Sequence, residues 1–498
     1  MVKRAGGVLL PLLEGPETAG LTRRSQVYKT CLKAILEGRL ARGARLPSAR
    51  ELARDWHLAR NTVDDALLQL QAEGFLERRT GDGTYVAQHP PGKVTARHPI
   101  ATRPPSTAGR EAMATASRWA RYAVHSHRER IAPKQGAFLA GLPALEHFPL
   151  ELWQRLTLRR LRASGREMLG YFPSMGYEPL REATARHLAT ARGVACSPAQ
   201  VMILNSTIQG IDLLGRVLLE RDDEAWVEEP GYPNVRVALA MSGAKVVPVP
   251  VDDEGLVVGA GDRRAPRAAL VYASTSCQYA TGVRMSLKRR IELLQWADRS
   301  GAWIVEDDYQ GEFSYEGRHV ESLHSLDRGE RVFHIGTFTN ALFPSLRLAY
   351  MVIPRPLCAV FQAARSQLDD HTHGLQQAVL ADFMDGGHFN SHLRKMKPIY
   401  KARRDALVRA CRALQGMGAR LGPALAGMNA PLHLPRQVAD RALCERAAAA
   451  GLRLAPLSRY DDGAGLNGLL LGYTALTERE IRIGVRAIGA LLQSTTRS

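Results

Sequence analysis

The chain has 498 residues, 45% of them hydrophobic and 23% charged, which is typical of a globular protein with two or three domains. Its net charge of +18 indicates a polyanionic partner, with nucleic acid the first candidate and an anionic membrane surface the second. The sequence has no apolar stretch of about 18 residues that would span a membrane. Its six cysteines form no C-x-x-C pair and no cluster with histidine at metal spacing, so we expect no metal site. This cysteine usage predicts a cytoplasmic protein with reduced thiols.

The positive charge is concentrated near the N-terminus. Residues 1–135 hold 23 Lys and Arg against 12 Asp and Glu. This asymmetry indicates a basic N-terminal module attached to a more neutral body. An Arg-rich proteome is the alternative explanation.

Residues 22–87 are predicted to form a helical module that ends in a hairpin. Apolar residues recur at helical spacing over residues 25–40, and Ser48 followed by Glu51 is the pattern of a capping box that begins a second helix. A third helix begins at Arg60, with polar residues at its N-terminal end and an apolar face behind them. Helix, tight turn and helix in this order are typical of DNA recognition.

A basic hairpin follows the third helix. Two short strands flank Gly81-Asp82-Gly83, a sequence that favours a tight turn. Arg78 and Arg79 stand beside the tip of this turn. A basic hairpin directly after a helix-turn-helix is predicted to be a wing.

Four blocks, LPSxRELA, RNTV, LxxEGFLExR and GxGTYV, occur in this order and register. Together they resemble the DNA-binding domain of GntR-family regulators over the whole of residues 22–87. One departure is Ala59, where the family often has a serine, and this removes one candidate phosphate contact. The resemblance implies double-stranded operator DNA as the partner, contacted by Ser48, Arg50, Arg60, Asn61, Thr62, Arg78, Arg79 and Gly83.

Residues 88–135 are predicted to be a linker. They are rich in Pro, Arg, Thr and Ala and show no sustained apolar period, so we expect an extended tether. A basic helix over residues 110–132 is a further expectation. The tether either adds non-specific DNA affinity or is a passive spacer.

The body, residues 136–498, alternates helical segments with short β-branched runs. These runs are QVMIL, EAWVEE, AKVVPVPV, AALVYAS, AWIVEDD, VFHIGTF and LAYMVI. The alternation predicts an α/β domain with a mostly parallel sheet. The length predicts one large domain and a smaller C-terminal lobe that starts at about residue 395.

Six motifs of the body occur in the order LGYFPSMGYEPLREATARHLATARGV, EEPGYP, YASTSCQYATG, IVEDDYQGEFSY, HIGTFTNALFPSLRLAY and HFNSHLRKMKPIYKARR. They resemble the fold-type I, class I aminotransferase-like domain of MocR-type regulators, a branch of the GntR family, over nearly all of residues 138–490. The resemblance implies a transcription regulator with a winged helix-turn-helix head and a body of the PLP-transferase type. It also implies a head-to-tail homodimer.

The resemblance also implies a pocket for pyridoxal 5′-phosphate (PLP). A working site needs a lysine amine, a carboxylate for the ring nitrogen, a phenol for the ring hydroxyl and a phosphate cup. The EDDY segment supplies the carboxylate as Asp307 and the phenol as Tyr309, and a helix N-terminus supplies backbone N–H groups to the cup. The implied pocket residues are Asn205, Ser206, Thr207, Tyr232, Asp307, Tyr309, Thr337, Asn340 and Arg347.

The lysine of this pocket is missing. The family's GTFSK reads GTFTN, so Asn340 stands in its place, and residues 289–394 contain no lysine that a register shift could supply. An amide is not a nucleophile towards an aldehyde, so we expect no covalent cofactor and no catalytic residue. Either the pocket binds another small anion or nothing, or it still binds PLP or its amine form non-covalently through the surviving groups.

Three functions are compatible with the sequence. The first is a regulator whose body dimerises and senses a ligand or partner. The second is an aminotransferase with a DNA-binding head, against which the loss of the lysine argues. The third is a co-regulator whose body is an inert dimerisation scaffold. The DNA-binding head and the missing lysine together favour the first.

Overall fold

A computed structural model describes residues 20–79, 81–90, 138–163, 165–315, 321–461, 463 and 465–496. The chain divides into two compact units, Met1–Thr115 and Ala116–Ser498. Most of the predicted linker 88–135, including the predicted helix 110–132, lies outside the described residues.

The described residues of the first unit form three helices and a hairpin, as predicted. Its elements are α1 (Arg23–Leu36), α2 (Ala49–Asp55), α3 (Arg60–Ala72), β1 (Leu76–Arg79) and β2 (Gly83–Val86).

Capping and apolar burial explain the boundaries and the packing of this unit. Ser48 and Glu51 form the predicted capping box on α2. The apolar faces of the helices and the hairpin meet in one core, in which Val27, Val63 and Leu70 are fully buried. Burying an aliphatic side chain of this size stabilises the fold by about 1.5–3 kcal/mol, so these positions hold the three helices together.

The second unit is built on an eight-stranded sheet with the order β3-β10-β9-β8-β7-β4-β5-β6. The neighbours from β9 to β5 are parallel, whereas β10 runs antiparallel to both β3 and β9. The mostly parallel sheet confirms the prediction. Its strands are β3 (Val201–Leu204), β4 (Glu224–Glu229), β5 (Lys245–Asp252), β6 (Gly255–Leu256), β7 (Leu270–Ser274), β8 (Trp303–Asp307), β9 (Val332–Thr337) and β10 (Ala349–Val352).

Helices cover both faces of this sheet. Alternate residues of β4 show the two faces, because Ala225 and Val227 belong to one hydrophobic cluster and Trp226 to another. Burial on both faces explains why the strands read as continuous apolar runs. The helices are α4 (Leu150–Ala163), α5 (Glu178–Arg192), α6 (Thr207–Leu218), α7 (Pro233–Met241), α8 (Val258–Arg264), α9 (Leu287–Ser300), α10 (Leu323–Leu326), α11 (Cys358–Leu368) and α12 (Gly374–Asp385).

A smaller lobe completes the unit, close to where it is predicted. An antiparallel sheet with the order β11-β12-β14-β13 packs with three helices, and the early residue Phe138 joins its core. Its elements are α13 (His388–Cys411), β11 (Arg420–Leu421), β12 (Asn429–His433), α14 (Asp440–Ala449), β13 (Ala455–Pro456), β14 (Gly468–Gly472) and α15 (Glu478–Thr496).

The described residues contain no helix that is both long and apolar enough to cross a membrane. The same residues hold no group of three or more His, Cys, Asp or Glu side chains placed to bind a metal ion. The six cysteines all lie within the described ranges and form no disulfide bond there.

Candidate functional site

The N-terminal end of α3 presents polar residues to solvent. Ala59 is the N-cap residue and makes no side-chain capping bond, so the first backbone N–H groups of α3 receive no acceptor oxygen from the N-cap side chain. Arg60 and Asn61 are exposed there, and Thr62 is half-buried. An uncapped helix N-terminus with an adjacent arginine attracts anions.

Ser48 and Arg50 play different local roles on α2. The Ser48 hydroxyl accepts the Glu51 N–H at 3.2 Å, and the Ser48 N–H donates to Glu51 Oε2 at 2.8 Å. Ser48 is therefore engaged in holding the start of α2, whereas Arg50 is exposed.

The wing separates two consecutive arginines. Arg78 lies on the hairpin face that carries the buried Val86, and Arg79 lies on the opposite face. Arg78 forms an ion pair with Asp64 of α3 at 3.4 Å. The Arg79 guanidinium instead stacks on the Tyr85 ring, with Cζ 4.3 Å from the ring centroid.

The register of the large sheet brings the predicted pocket residues to one edge. Leu204 of β3 pairs with Ala349, and Ala349 pairs with Thr337 of β9. Ile335 of β9 pairs with Asp307 at the end of β8. This is the carboxyl edge at which open α/β sheets bind ligands. The predicted residues at or just beyond these strand ends are Asn205, Ser206, Thr207, Tyr232, Asp307, Tyr309, Thr337, Asn340 and Arg347.

Asp307 is buried with one unsatisfied oxygen. Its Oδ2 accepts a hydrogen bond from the Tyr272 hydroxyl at 2.6 Å, whereas the buried Oδ1 has no hydrogen-bond partner in the described part of the chain. Burial raises the pKa of Asp307 to about 7, although the Tyr272 hydrogen bond acts in the other direction. A buried carboxyl with an open oxygen costs stability and matches a ligand that donates a hydrogen bond.

The acidic neighbours of Asp307 have cationic partners inside the protein. Burial alone would raise the pKa of Glu306, but His334 and Arg290 hold it below its usual range. Asp308 accepts from Arg192 Nε at 2.7 Å. Of the three consecutive carboxyls, Asp307 is the one with no ion pair among the described residues.

Tyr309 and Asn340 adjoin each other beside a group of aromatic rings. Asn340 Nδ2 donates to the Tyr309 backbone carbonyl at 3.0 Å. The Tyr309 hydroxyl is buried and has no hydrogen-bond partner within the described ranges, and burial raises its pKa well above the usual range. The Tyr279 ring lies 5.8 Å from Tyr309 and 4.8 Å from Tyr232, measured between centroids.

The predicted anion cup is partly engaged by the protein itself. Ser206 is the N-cap of α6, and its hydroxyl accepts the Gln209 N–H at 3.2 Å. The Asn205 N–H donates to Gln209 Oε1 at 2.7 Å, and the Thr337 hydroxyl donates to a backbone carbonyl at 3.3 Å. Arg347 is exposed, with φ of 51°, and remains available to an anion.

Sequence reasoning missed two buried residues of this site. Tyr272 is the hydrogen-bond donor to Asp307. Glu228 accepts the Ser274 N–H at 3.0 Å, and burial raises its pKa to about 8. The available signal was a phenol inside the aliphatic run AALVYAS and an acidic pair at the end of EAWVEE, each near the ligand edge of the sheet.

Comparison with known proteins gives a family match for each of the two parts of the chain. The family of bacterial regulatory proteins called gntR matches residues 23–86, and aminotransferase class I and II matches residues 142–453. The probable rhizopine catabolism regulatory protein MocR of Rhizobium meliloti is 37% identical over 471 residues, with 94% of each chain covered. The chain belongs to the MocR-type branch of the GntR family. The present MocR-type chain is also 32% identical to the regulator TauR of Rhodobacter capsulatus, over 93% of this chain and 94% of TauR.

Solved aminotransferases share the fold of this MocR-type protein. LysN, the alpha-aminoadipate aminotransferase of Thermus thermophilus, is 27% identical with a TM-score of 0.68, covering 78% of this chain and 98% of that one. Kynurenine aminotransferase of Pyrococcus horikoshii is 26% identical with a TM-score of 0.67, covering 77% and 96%. These likenesses confirm the predicted fold of the body. A GntR head within a family of transcriptional regulators makes the protein a DNA-binding transcription regulator.

Proposed function

We propose that this regulator uses its aminotransferase-like body as a sensor and dimerisation module, without a covalent cofactor and without catalysis. The observation that carries the proposal is Asn340 in the GTFTN segment, at the edge of the sheet beside Tyr309. A carboxamide has no nucleophilic amine with which to hold an aldehyde and no amine to shuttle a proton.

The other pocket groups fit the ring of PLP, which supplies an electron-accepting pyridine ring in enzymes that use it. Asp307 Oδ1 would accept a hydrogen bond from the protonated ring nitrogen, and the Tyr309 hydroxyl would meet the ring oxygen. Both groups are buried and lack partners among the described residues. This pairing supports PLP or its amine form as a non-covalent effector.

A different small anion, or none, is the alternative ligand state. The hydrogen bonds already made by Asn205, Ser206 and Thr337 inside the protein favour this alternative. Arg347 is then the cationic group that remains for an anion.

We further propose that operator DNA lies against α3, the start of α2 and the wing. Exposed Arg60 and Asn61 at the uncapped end of α3 support this assignment, since residues there reach base edges and phosphates. The proposed contact residues are Ser48, Arg50, Arg60, Asn61, Thr62, Arg79 and Gly83. Arg78, which the resemblance also implies, is left out of the direct contacts because its guanidinium is paired with Asp64.

Exposed apolar residues of the body support a homodimer. Leu169 and Tyr171 are 84% and 93% exposed, and Leu158 and Leu161 of α4 are also exposed. Large apolar side chains clustered on a surface mark protein–protein contacts. Two heads would then read paired half-sites about one helical turn, or a multiple of a turn, apart, in the head-to-tail arrangement that the resemblance implies.

Calorimetry with visible absorbance tests the pocket. PLP, pyridoxamine 5′-phosphate and inorganic phosphate are titrated separately into the full-length protein. Heat without the absorbance band of a lysine-linked cofactor is the expected result if the cofactor is the effector, and heat with phosphate alone would indicate another anion. Measurable turnover in a coupled transamination assay would overturn the proposal.

Mobility-shift titration on a selected operator tests the head. Arg60→Ala is expected to weaken binding by about 1–3 kcal/mol if the side chain reads a base edge. Unchanged binding by this variant would contradict the assignment of α3 as the recognition helix.

A further inference from the structure

The outer face of the wing carries a set of side chains that contact one another. Register places Glu77, Arg79, Gly83 and Tyr85 on this face and Arg78 on the inner one. Side chains on one face of a two-stranded ribbon are neighbours. The outer face therefore collects groups that are scattered in the sequence.

Arg45 joins this face from the loop before α2. The segment around it is hydrogen-bonded to β2 through an isolated antiparallel bridge: the Leu46 N–H donates to Thr84 O at 2.8 Å, and the Val86 N–H donates to Ala44 O at 2.9 Å. Arg45 lies directly opposite Tyr85 in this pairing, so its side chain shares the outer face with Tyr85.

The missing side chain of Gly83 makes room for Arg45. A Cβ built on Gly83 would lie 2.9 Å from Arg45 Nε and 3.5 Å from Cζ. The guanidinium therefore lies against the backbone of the wing tip. Gly83 also has φ of +126°, which other residues rarely adopt.

The second guanidinium of this face is positioned by Tyr85. Arg79 stacks on the Tyr85 ring at 4.3 Å, and the Tyr85 hydroxyl donates to Asp82 Oδ2 at 2.8 Å, which joins the ring to the turn. Neither Arg79 nor Arg45 forms an ion pair in the ranges that the structure describes, in contrast to Arg78 with Asp64.

We infer that Arg45 and Arg79 form a preordered phosphate clamp on the outer face of the wing, with Gly83 and Tyr85 as its platform, and that Arg78 serves mainly to hold the wing to α3. The inference rests on the proposed function, since it requires that the head binds DNA. Planar guanidinium groups suit phosphate oxygens, and groups already held in place lose less freedom on binding.

Salt-dependent binding to a labelled duplex of random sequence, about 30 base pairs long, tests the clamp, because phosphate contacts do not need an operator. Fluorescence anisotropy is measured from about 50 to 200 mM KCl with the full-length wild type, R45A, R79A and R78A. The R78A variant is the matched control, because it removes the same charge one residue away on the other face. Thermal unfolding of each variant confirms that the head remains folded.

R45A and R79A are each expected to weaken binding by roughly 3- to 10-fold and to reduce the slope of log K against log salt by about 0.9, the value for one phosphate contact. R78A is expected to leave the slope unchanged. G83A displaces Arg45 and is expected to mimic R45A, so the R45A/G83A double variant binds no more weakly than the weaker single variant.

The outcomes separate the clamp from DNA binding itself. If the wild type binds the duplex and R45A shows the same slope of log K against log salt, the clamp is overturned, and the head remains a DNA-binding domain. An equal loss of slope in R78A would overturn the division between the two faces. No binding by the wild type at the lowest salt concentration would overturn the proposed DNA contacts altogether.

Discussion

Substituting Asp307 by asparagine removes a buried charge while keeping the side-chain volume and an acceptor for the Tyr272 hydroxyl. Burial raises the pKa of Asp307 to about 7 in the folded protein, whereas an aspartate in an unfolded chain titrates at about 3.9. The folded state therefore binds the proton more tightly. Ionisation costs stability as the pH rises from the unfolded pKa to the folded pKa, and the loss is complete above the folded pKa.

The size of this effect follows from the two pKa values. One pKa unit corresponds to about 1.4 kcal/mol, so the carboxyl costs the wild type roughly 1.5 kcal/mol at pH 5 and roughly 4 kcal/mol at pH 8. An asparagine side chain does not titrate. As the pH rises from 5 to 8, the free energy of unfolding of Asp307→Asn should therefore increase by about 2–3 kcal/mol relative to that of the wild type.

Two further effects, one of the new amide and one of the neighbouring Glu228, modify the expected result. The new amide N–H stands at the position of the buried Oδ1, and a buried donor that finds no acceptor there adds a cost of about 1–3 kcal/mol at every pH. Burial and, to a smaller extent, the Asp307 charge raise the pKa of Glu228. Removing that charge lets Glu228 ionise more easily, so its contribution has the same sign as the main effect.

Urea unfolding of the full-length proteins at pH 5, 6.5 and 8 measures the difference through the midpoint at constant slope. Asp308→Asn is the matched control. Burial would raise the pKa of Asp308, but Arg192 brings it below its usual range, so Asp308 stays ionised between pH 5 and 8. This control should lose roughly 3–5 kcal/mol at pH 5, because it removes the carboxylate that pairs with the buried Arg192. The loss should shrink towards pH 8, because the Asp308 charge also raises the pKa of Asp307, but by less than the change in Asp307→Asn, in which that carboxyl is absent.

A difference between Asp307→Asn and the wild type that stays constant from pH 5 to 8 would refute the reasoning, provided that the Asp308→Asn control behaves as expected. Asp307 would then carry its charge in the folded protein at acidic pH, and its Oδ1 would have a donor that the structure does not show.

Three further predictions concern the lysine position, the packing and the surface. Asn340→Lys should give a visible absorbance band with PLP that the wild type lacks, and no band would mean that the pocket does not hold the ring near residue 340. Gly374→Ala should destabilise the body by about 1–3 kcal/mol in urea unfolding, because its Cβ would lie 2.1 Å from Phe172 Cε2; Gly416→Ala, whose Cβ would meet nothing within 4 Å, is the control. Leu169→Asp should shift a wild-type dimer towards monomer in sedimentation velocity, and an unchanged dimer would place the interface elsewhere.

Local signals in the sequence predicted the head and the order of elements in the body. Ser48 with Glu51 is a capping box within four residues. The β-branched runs of the body form strands, and β3, β7 and β10 are buried over their whole length. The direction of β10 was not predictable, since its run LAYMVI resembles those of the parallel strands. Strand direction depends on the path of the connecting chain and leaves no local pattern.

The details of the candidate site depend on contacts between distant residues. Tyr272 meets Asp307 across 35 positions, and Arg192 meets Asp308 across 116. The EDD segment alone therefore did not show which carboxyl lacks a partner. The separation of Arg78 from Arg79, by contrast, follows from the two-residue period of a strand and was available from the sequence once the hairpin was predicted.

Asp307 Oδ1 and the Tyr309 hydroxyl, which have no hydrogen-bond partner among the residues that the structure describes, also affect how long each copy of the protein survives. A ligand that supplies both hydrogen bonds raises the free energy of unfolding in proportion to the logarithm of its concentration above Kd. Cellular proteases remove unfolded chains, so about one or two kcal/mol change steady-state abundance several-fold. A ligand of this pocket would thereby set the number of regulator molecules in the cell, even if it left the affinity of each head for DNA untouched.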